Sequence, residues 1–77
     1  MSKQRFVLTF NAEQIQEPII YNLGQQFALI TNIRRADVSK DEGWVLLELE
    51  GSDKDIEQGI AWVTSKGVRV EPADAES

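Results

Sequence analysis

Twice in 77 residues the apolar spacing changes from every second residue to every third or fourth, and back again. Period-two alternation belongs to strands and a period near 3.6 to helices. The chain is therefore held to two successive strand–helix–strand units that fill it almost end to end.

The first strand covers Arg5 to Phe10, with Phe6, Leu8 and Phe10 on one face and Arg5, Val7 and Thr9 on the other. Asn11-Ala12-Glu13 reads as a turn. Pro18 suits the first turn of a helix, where its missing N–H costs nothing, and Glu17 meets the positive end of the helix dipole. Ile15, Ile19, Leu23 and Phe27 recur every four residues, widened by Ile20, so a helix is expected over about Glu17 to Gln26. The second strand runs from Leu29 to Val38, with Leu29, Thr31 and Ile33 on one side and Ile30, Asn32 and Arg34 on the other. A polar link, Ser39 to Gly43, makes a hairpin in which Gly43 is expected to turn the chain.

The third strand is Trp44 to Glu50, ended by Gly51. Ser52 then caps a second helix, with Asp55 three residues on. Ile56, Gly59, Ile60 and Val63 form its inward stripe, and Gly59 implies close packing of that helix on the sheet. Lys66-Gly67 ends the helix, cation first and left-handed glycine after. Val68 to Glu71 is the fourth strand.

The order β-α-β-β-α-β is the ferredoxin-like plan: α+β, a four-stranded antiparallel sheet with two helices on one face. One domain over 1–77 is expected, with an ordered core at 3–71 and a polar tail at 72–77. The predicted core is Phe6, Leu8, Phe10, Val45, Leu47, Leu49, Val68 and Val70 with the helix stripes. The other sheet face carries Val7, Thr9, Trp44, Leu46, Glu48, Arg69 and Glu71. Val7, Trp44 and Leu46 are too apolar for a purely solvated face, and such a cluster marks an interface. A Trp44 folded down over the sheet is the plainer alternative.

Composition removes whole classes of function. With no Cys and no His, the chain offers no disulfide, no thiolate metal site, no iron–sulfur cluster and no imidazole base. No metal and no cofactor are expected. Thirteen acidic residues against eight basic give a net charge of −5, which repels phosphate backbones. No apolar run is long enough for a signal-peptide core or a membrane span, so a cytoplasmic protein is expected. A chain this small buries only roughly 60% of its unfolded surface, and pairing with a second copy is one remedy.

No catalytic set is visible. Thr9, Ser39, Ser52, Thr64 and Ser65 have structural explanations in strand, turns, caps or helix surface. Asp41-Glu42 lies in a turn, and Asp53, Asp55 and Glu57 lie in the first turns of a helix, where acids favour the dipole. Acylphosphatases share the plan but need an Arg-bearing phosphate loop after the first strand, where this chain has Asn11-Ala12-Glu13. RNA-recognition modules share it too. Their third strand needs a basic residue and alternating aromatics, whereas this one reads Glu42-Gly43-Trp44 followed by Leu46 and Glu48.

Asn32 is the informative polar residue. Asn is depleted in strands. An edge or bulge position would explain it; so would a ligand or a partner strand. An amide both donates to a carboxylate and accepts from an amine, the two groups of a free amino acid.

The chain resembles the NIL domain family. The resemblance is carried by Thr31-Asn32-Ile33, by Trp44 to Gly51, by Gly59-Ile60-Ala61-Trp62-Val63, by Gly67 to Glu71 and by Glu17-Pro18-Ile19. NIL domains are ferredoxin-like and related in plan to amino-acid-sensing ACT domains. They are best known at the C-terminus of methionine-importer ATPases, where they pair and bind methionine. The resemblance implies a stand-alone regulatory homodimer, not an enzyme, with a methionine-like ligand near the second strand. By it Asn32 contacts the ligand, Thr31 and Ile33 shape the site, and Arg34 tunes it. Arg34 departs from the family, whose motif has an aliphatic residue there. No Gly-rich phosphate loop occurs, so regulation would act on another polypeptide. The alternative is a ligand-free interaction or dimerisation module working through Trp44, Leu46, Val7 and the edge of the second strand.

Overall fold

The computed structural model describes residues 1–73. In chain order the elements are β1 (Ser2–Asn11), α1 (Ala12–Ile15), α2 (Ile19–Phe27), β2 (Ile30–Val38), β3 (Glu42–Gly51), α3 (Asp53–Ser65) and β4 (Arg69–Pro72). The strands form one sheet in the order β2-β3-β1-β4, every neighbour antiparallel. The architecture is ferredoxin-like α+β, with one more short helix than the pattern implies.

The central pair β1–β3 sets the core. Its register puts Phe6 opposite Leu47 and Leu8 opposite Val45. With Phe10 and Leu49 these residues line one face, and all are buried. Ile19 and Leu23 of α2 and Ile56 and Val63 of α3 close over them, joined by Leu29 and Val68 from the segments entering β2 and β4. Each fully buried Leu contributes about 1.5–3 kcal/mol of transfer free energy, the dominant favourable term in a domain this small. Val70 is only partly buried.

Several local expectations are corrected. Asn11-Ala12-Glu13 opens a helix rather than a plain turn. Asn11 Oδ1 accepts from the Gln14 N–H and Gln14 Oε1 accepts from the Asn11 N–H, each at 2.9 Å, a reciprocal capping box. The Ile15–Ile19 spacing therefore runs across two helices. Pro18 is the N-cap of α2 rather than a residue inside its first turn, and the helix ends on left-handed Ala28, φ 53°. Gly43 does not turn the chain but is paired with Phe10 within β3, and Gly51, paired with Ser2, is the last residue of that strand. They permit close approach instead, since a Cβ would lie 3.1 Å from Val38 Cγ2 at position 43 and 2.6 Å from Leu29 Cδ2 at position 51.

Around α3, Ser52 accepts from the Asp55 N–H at 3.0 Å, and Gly67 takes φ 85°, both as the sequence indicates. Gly59, however, packs against the other helix rather than the sheet. A Cβ there would lie 2.8 Å from Leu23 Cδ1 and 2.9 Å from Leu29 Cδ1. Ile60 is partly rather than fully buried. Strand β4 reaches Pro72, which an edge strand tolerates because one side of its backbone is unpaired. The Ala73 N–H still donates to the Arg5 carbonyl at 2.9 Å, and residues 74–77 of the expected tail lie outside the described residues. Among the described residues no helix is long and apolar enough to cross a membrane.

Candidate functional site

Strand β2 is an edge strand, paired only with β3. All its residues are exposed except Thr31, which is half-buried. Its register starts regularly: Ile30, Thr31, Asn32 and Ile33 stand opposite Glu50, Leu49, Glu48 and Leu47. Then it slips. Arg35, not Arg34, stands opposite Leu46, so Arg34 is the extra residue of a β-bulge. Beyond it Ala36 meets Val45 and Asp37 meets Trp44.

The register separates the four residues of the expected ligand site. Thr31 and Ile33 share the helix side with Leu49 and Leu47. Thr31 lies against α2, its Cγ2 3.5 Å from where a Cβ on Gly24 would sit. Asn32 lies on the open side of the sheet. Arg34 was expected beside Asn32 in simple alternation; the bulge removes it from that row. The departure from the aliphatic motif letter thus falls at a position with no facing residue on β3.

On the open side the strands align side chains in rows. Asn32 on β2, Glu48 on β3 and Arg5 on β1 form one row. Arg5 Nε donates to Glu48 Oε2 at 3.2 Å, and the Glu48 side chain is only 14% exposed. The next row runs Arg35, Leu46, Val7, Glu71, and the one after it Asp37, Trp44, Thr9, Arg69. Val7 and Leu46 are half-buried and Trp44 is 39% exposed, so the three expected interface residues share this face. The Glu48–Arg5 pair is what sequence reading missed. Arg5 and Glu48 each alternate with apolar residues, but their meeting depends on a register between positions 43 apart.

A second apolar region lies on the helix side. Ile33 and Val38 of β2 are 53% and 56% exposed there. Near Val38 a recess of about 240 Å³ is walled by Phe10, Val45, Ile15, Pro18, Ile20 and Tyr21. Its buried polar wall residue, Gln14, is already engaged with Asn11 and Lys66.

Residues 4–72 match the family model of the NIL domain. The chain belongs to the NIL domain family. No curated protein matches it. Ten solved chains do, among them the C-terminal domain of an ABC transporter ATP-binding protein from Enterococcus faecalis. That structure is 22% identical, with a TM-score of 0.80, over 95% of this chain and 86% of the other. At that identity the likeness establishes the fold. Family membership supports a regulatory module, and the NIL motif segment of this domain is the exposed edge strand with Asn32 on the open side.

Proposed function

We propose that this NIL domain is a non-enzymatic regulatory module of the cytoplasm that binds a free amino acid, methionine or a relative, at β2, and acts as a homodimer on a partner protein. The observation that carries the reading is the row Asn32–Glu48–Arg5. A free amino acid presents an ammonium and a carboxylate side by side. Glu48, held by Arg5, is an acceptor for the ammonium. The Asn32 amide donates to the carboxylate, with the Arg35 cation one row away. Thr31 and Ile33 support the strand from the helix side, and Arg34 adds charge at the bulge.

Isothermal titration with methionine, then with the other amino acids, tests the reading. Saturable binding that is lost in a folded Asn32→Ala variant is the expected result. Absence of heat with every amino acid overturns it.

A second reading is favoured by the apolar residues Val7, Leu46 and Trp44, which face no helix. On it the domain is an interaction module without ligand. A Trp44→Ser variant that keeps its fold, assembly state and partner binding would exclude that surface.

A further inference from the structure

The two edges of the sheet are not alike. Strand β4 is four residues long and ends on Pro72, which has no N–H to offer. Strand β2 runs for nine residues with β3 on one side only. Among the described residues, none of the backbone bonds of turns, loops and caps reaches residues 30–38.

The parity of the ladder decides which backbone groups of β2 are free. Along an antiparallel strand, residues alternate in pointing both N–H and C=O to one neighbour or to the other. The Ser39 N–H donates to the Glu42 carbonyl at 2.8 Å, so Glu42 points toward β2, and Trp44, Leu46 and Glu48 point the same way. Gly43, Val45, Leu47 and Leu49 point toward β1. Their opposites on β2 are Val38, Ala36, Ile33 and Thr31, which therefore turn their N–H and C=O groups outward. The same parity turns Arg5, opposite Glu48, toward β4, and there its carbonyl accepts from the Ala73 N–H. The outward residues all carry their side chains on the helix side, and the bulge at Arg34 keeps them in phase along the whole edge.

What flanks this edge has a chemistry of its own. No charged residue occurs from Pro18 to Ile33 in a chain that is 27% charged, so α2 brings no charge to the helix side. Tyr21, Ile33 and Val38 are each more than half exposed, and the recess of about 240 Å³ opens beside Val38. Arg34 and Arg35 end the uncharged run. Among the described residues neither forms an ion pair.

We infer that the outer edge of β2 takes up an extended segment of a partner protein as a fifth strand, a segment with apolar side chains on one face and acidic ones at its centre. Backbone bonds to Thr31, Ile33, Ala36 and Val38 hold such a strand, and side-chain contacts select it. It lies about 4.8 Å outside β2. A side chain opposite Val38 then falls on the helix side against the recess, and one opposite Ile33 falls against that exposed isoleucine. Carboxylates at its centre meet Arg34 and Arg35 at the bulge. A second copy of this chain is the poorer occupant. Its β2, paired about the bulge, would set Arg34 and Arg35 against their own counterparts, and like charges directly opposite are destabilising. The inference rests on the reading of the domain as a module that acts on another protein and names the chemistry of that contact; it needs no ligand at Asn32.

The probe is a short capped peptide that alternates valine with threonine and carries glutamates at its centre; its counterpart carries lysines there. Anisotropy of the labelled peptides reports binding, and circular dichroism confirms that each variant is folded. The glutamate peptide is expected to bind saturably, and the lysine peptide about tenfold more weakly or worse. Ala36→Pro removes one outward N–H and spares the bonds to β3, so it is expected to lose the peptide. Arg34→Glu with Arg35→Glu is expected to reverse the preference. In the parent, hydrogen exchange is expected to slow on adding the glutamate peptide at Thr31, Ile33, Ala36 and Val38. Absence of that slowing at saturating peptide, or binding that survives Ala36→Pro, overturns the inference. So does slowing at the same amides that grows with protein concentration and needs no peptide, since a second copy would then occupy the edge. Methionine titration reads the amino-acid site separately, so either reading can fail while the other stands.

Discussion

Gln14 Nε2 donates to the carbonyl of Lys66 at 3.1 Å, tying α1 to the end of α3 across 52 residues of chain. Its Oε1 is taken by the Asn11 N–H. The buried amide thus satisfies the start of one helix and the finish of another, and Gly67, turning at φ 85°, leaves room for it. Replacing Gln14 with Leu leaves two backbone groups unpaired, at about 1–3 kcal/mol for each buried unsatisfied group. Urea melts of Gln14→Leu are expected to show at least the lower figure, and a melt equal to the parent would mean water replaces the amide without loss.

Gly59 carries two opposing effects. Ala in a helix interior is favoured over Gly by about 1 kcal/mol. Overpacking a close-fitted core costs about 1–3 kcal/mol. Leu23 and Leu29 are both buried, so they cannot swing clear of a methyl group. Gly59→Ala is expected to be less stable than the parent and Gly59→Val less stable still. Stabilisation by Ala would show that the two leucines yield.

Ala28 ends α2 in the left-handed region at φ 53°, a conformation that costs an L-residue about 1–2 kcal/mol. Glycine pays part of that back through the freedom of its unfolded chain. Ala28→Gly is expected to raise stability by roughly 0.5–1 kcal/mol. A lower denaturation midpoint would mean that the Ala28 methyl group makes contacts worth more than the strain.

Burial grades the core. Leu47 is fully enclosed, and Leu47→Ala is expected to cost about 2–5 kcal/mol, enough to unfold a marginal domain. Ile60 is partly buried, so Ile60→Ala falls below that range. Equal losses at the two positions would place Ile60 deeper than its packing indicates.

These residues also show what could be read in advance. Face assignments along β1 and β3 follow from period-two alternation under burial, and Ser52 and Gly67 announce the ends of α3 through cap chemistry. Helix α1 has four residues, too few for a periodicity, and its trace was the Asn11–Gln14 spacing alone. The bulge left only a weak trace, the change of phase from Thr31 and Ile33 to Ala36 and Val38, because Arg34 and Arg35 are both at home on an exposed edge. Asn32 stood out as an amide in a strand, whereas its neighbour Glu48 and the distant Arg5 became a unit only once the register was known. Gly59 signalled a close approach without saying to what: residue spacing gives a distance requirement, and the partner comes from how two helices share one sheet.

The bulge also sets where the length of this chain is free to change. Removing Arg34 would close β2 into a regular ladder, with Ile33 still opposite Leu47 and Arg35 still opposite Leu46. Every remaining side chain would keep its side of the sheet. Removing a residue elsewhere in the strand would turn one stretch of it inside out. Arg34 is thus a point of slack in an otherwise strict ruler: a place where a relative of this domain can be one residue shorter and still present the same two surfaces.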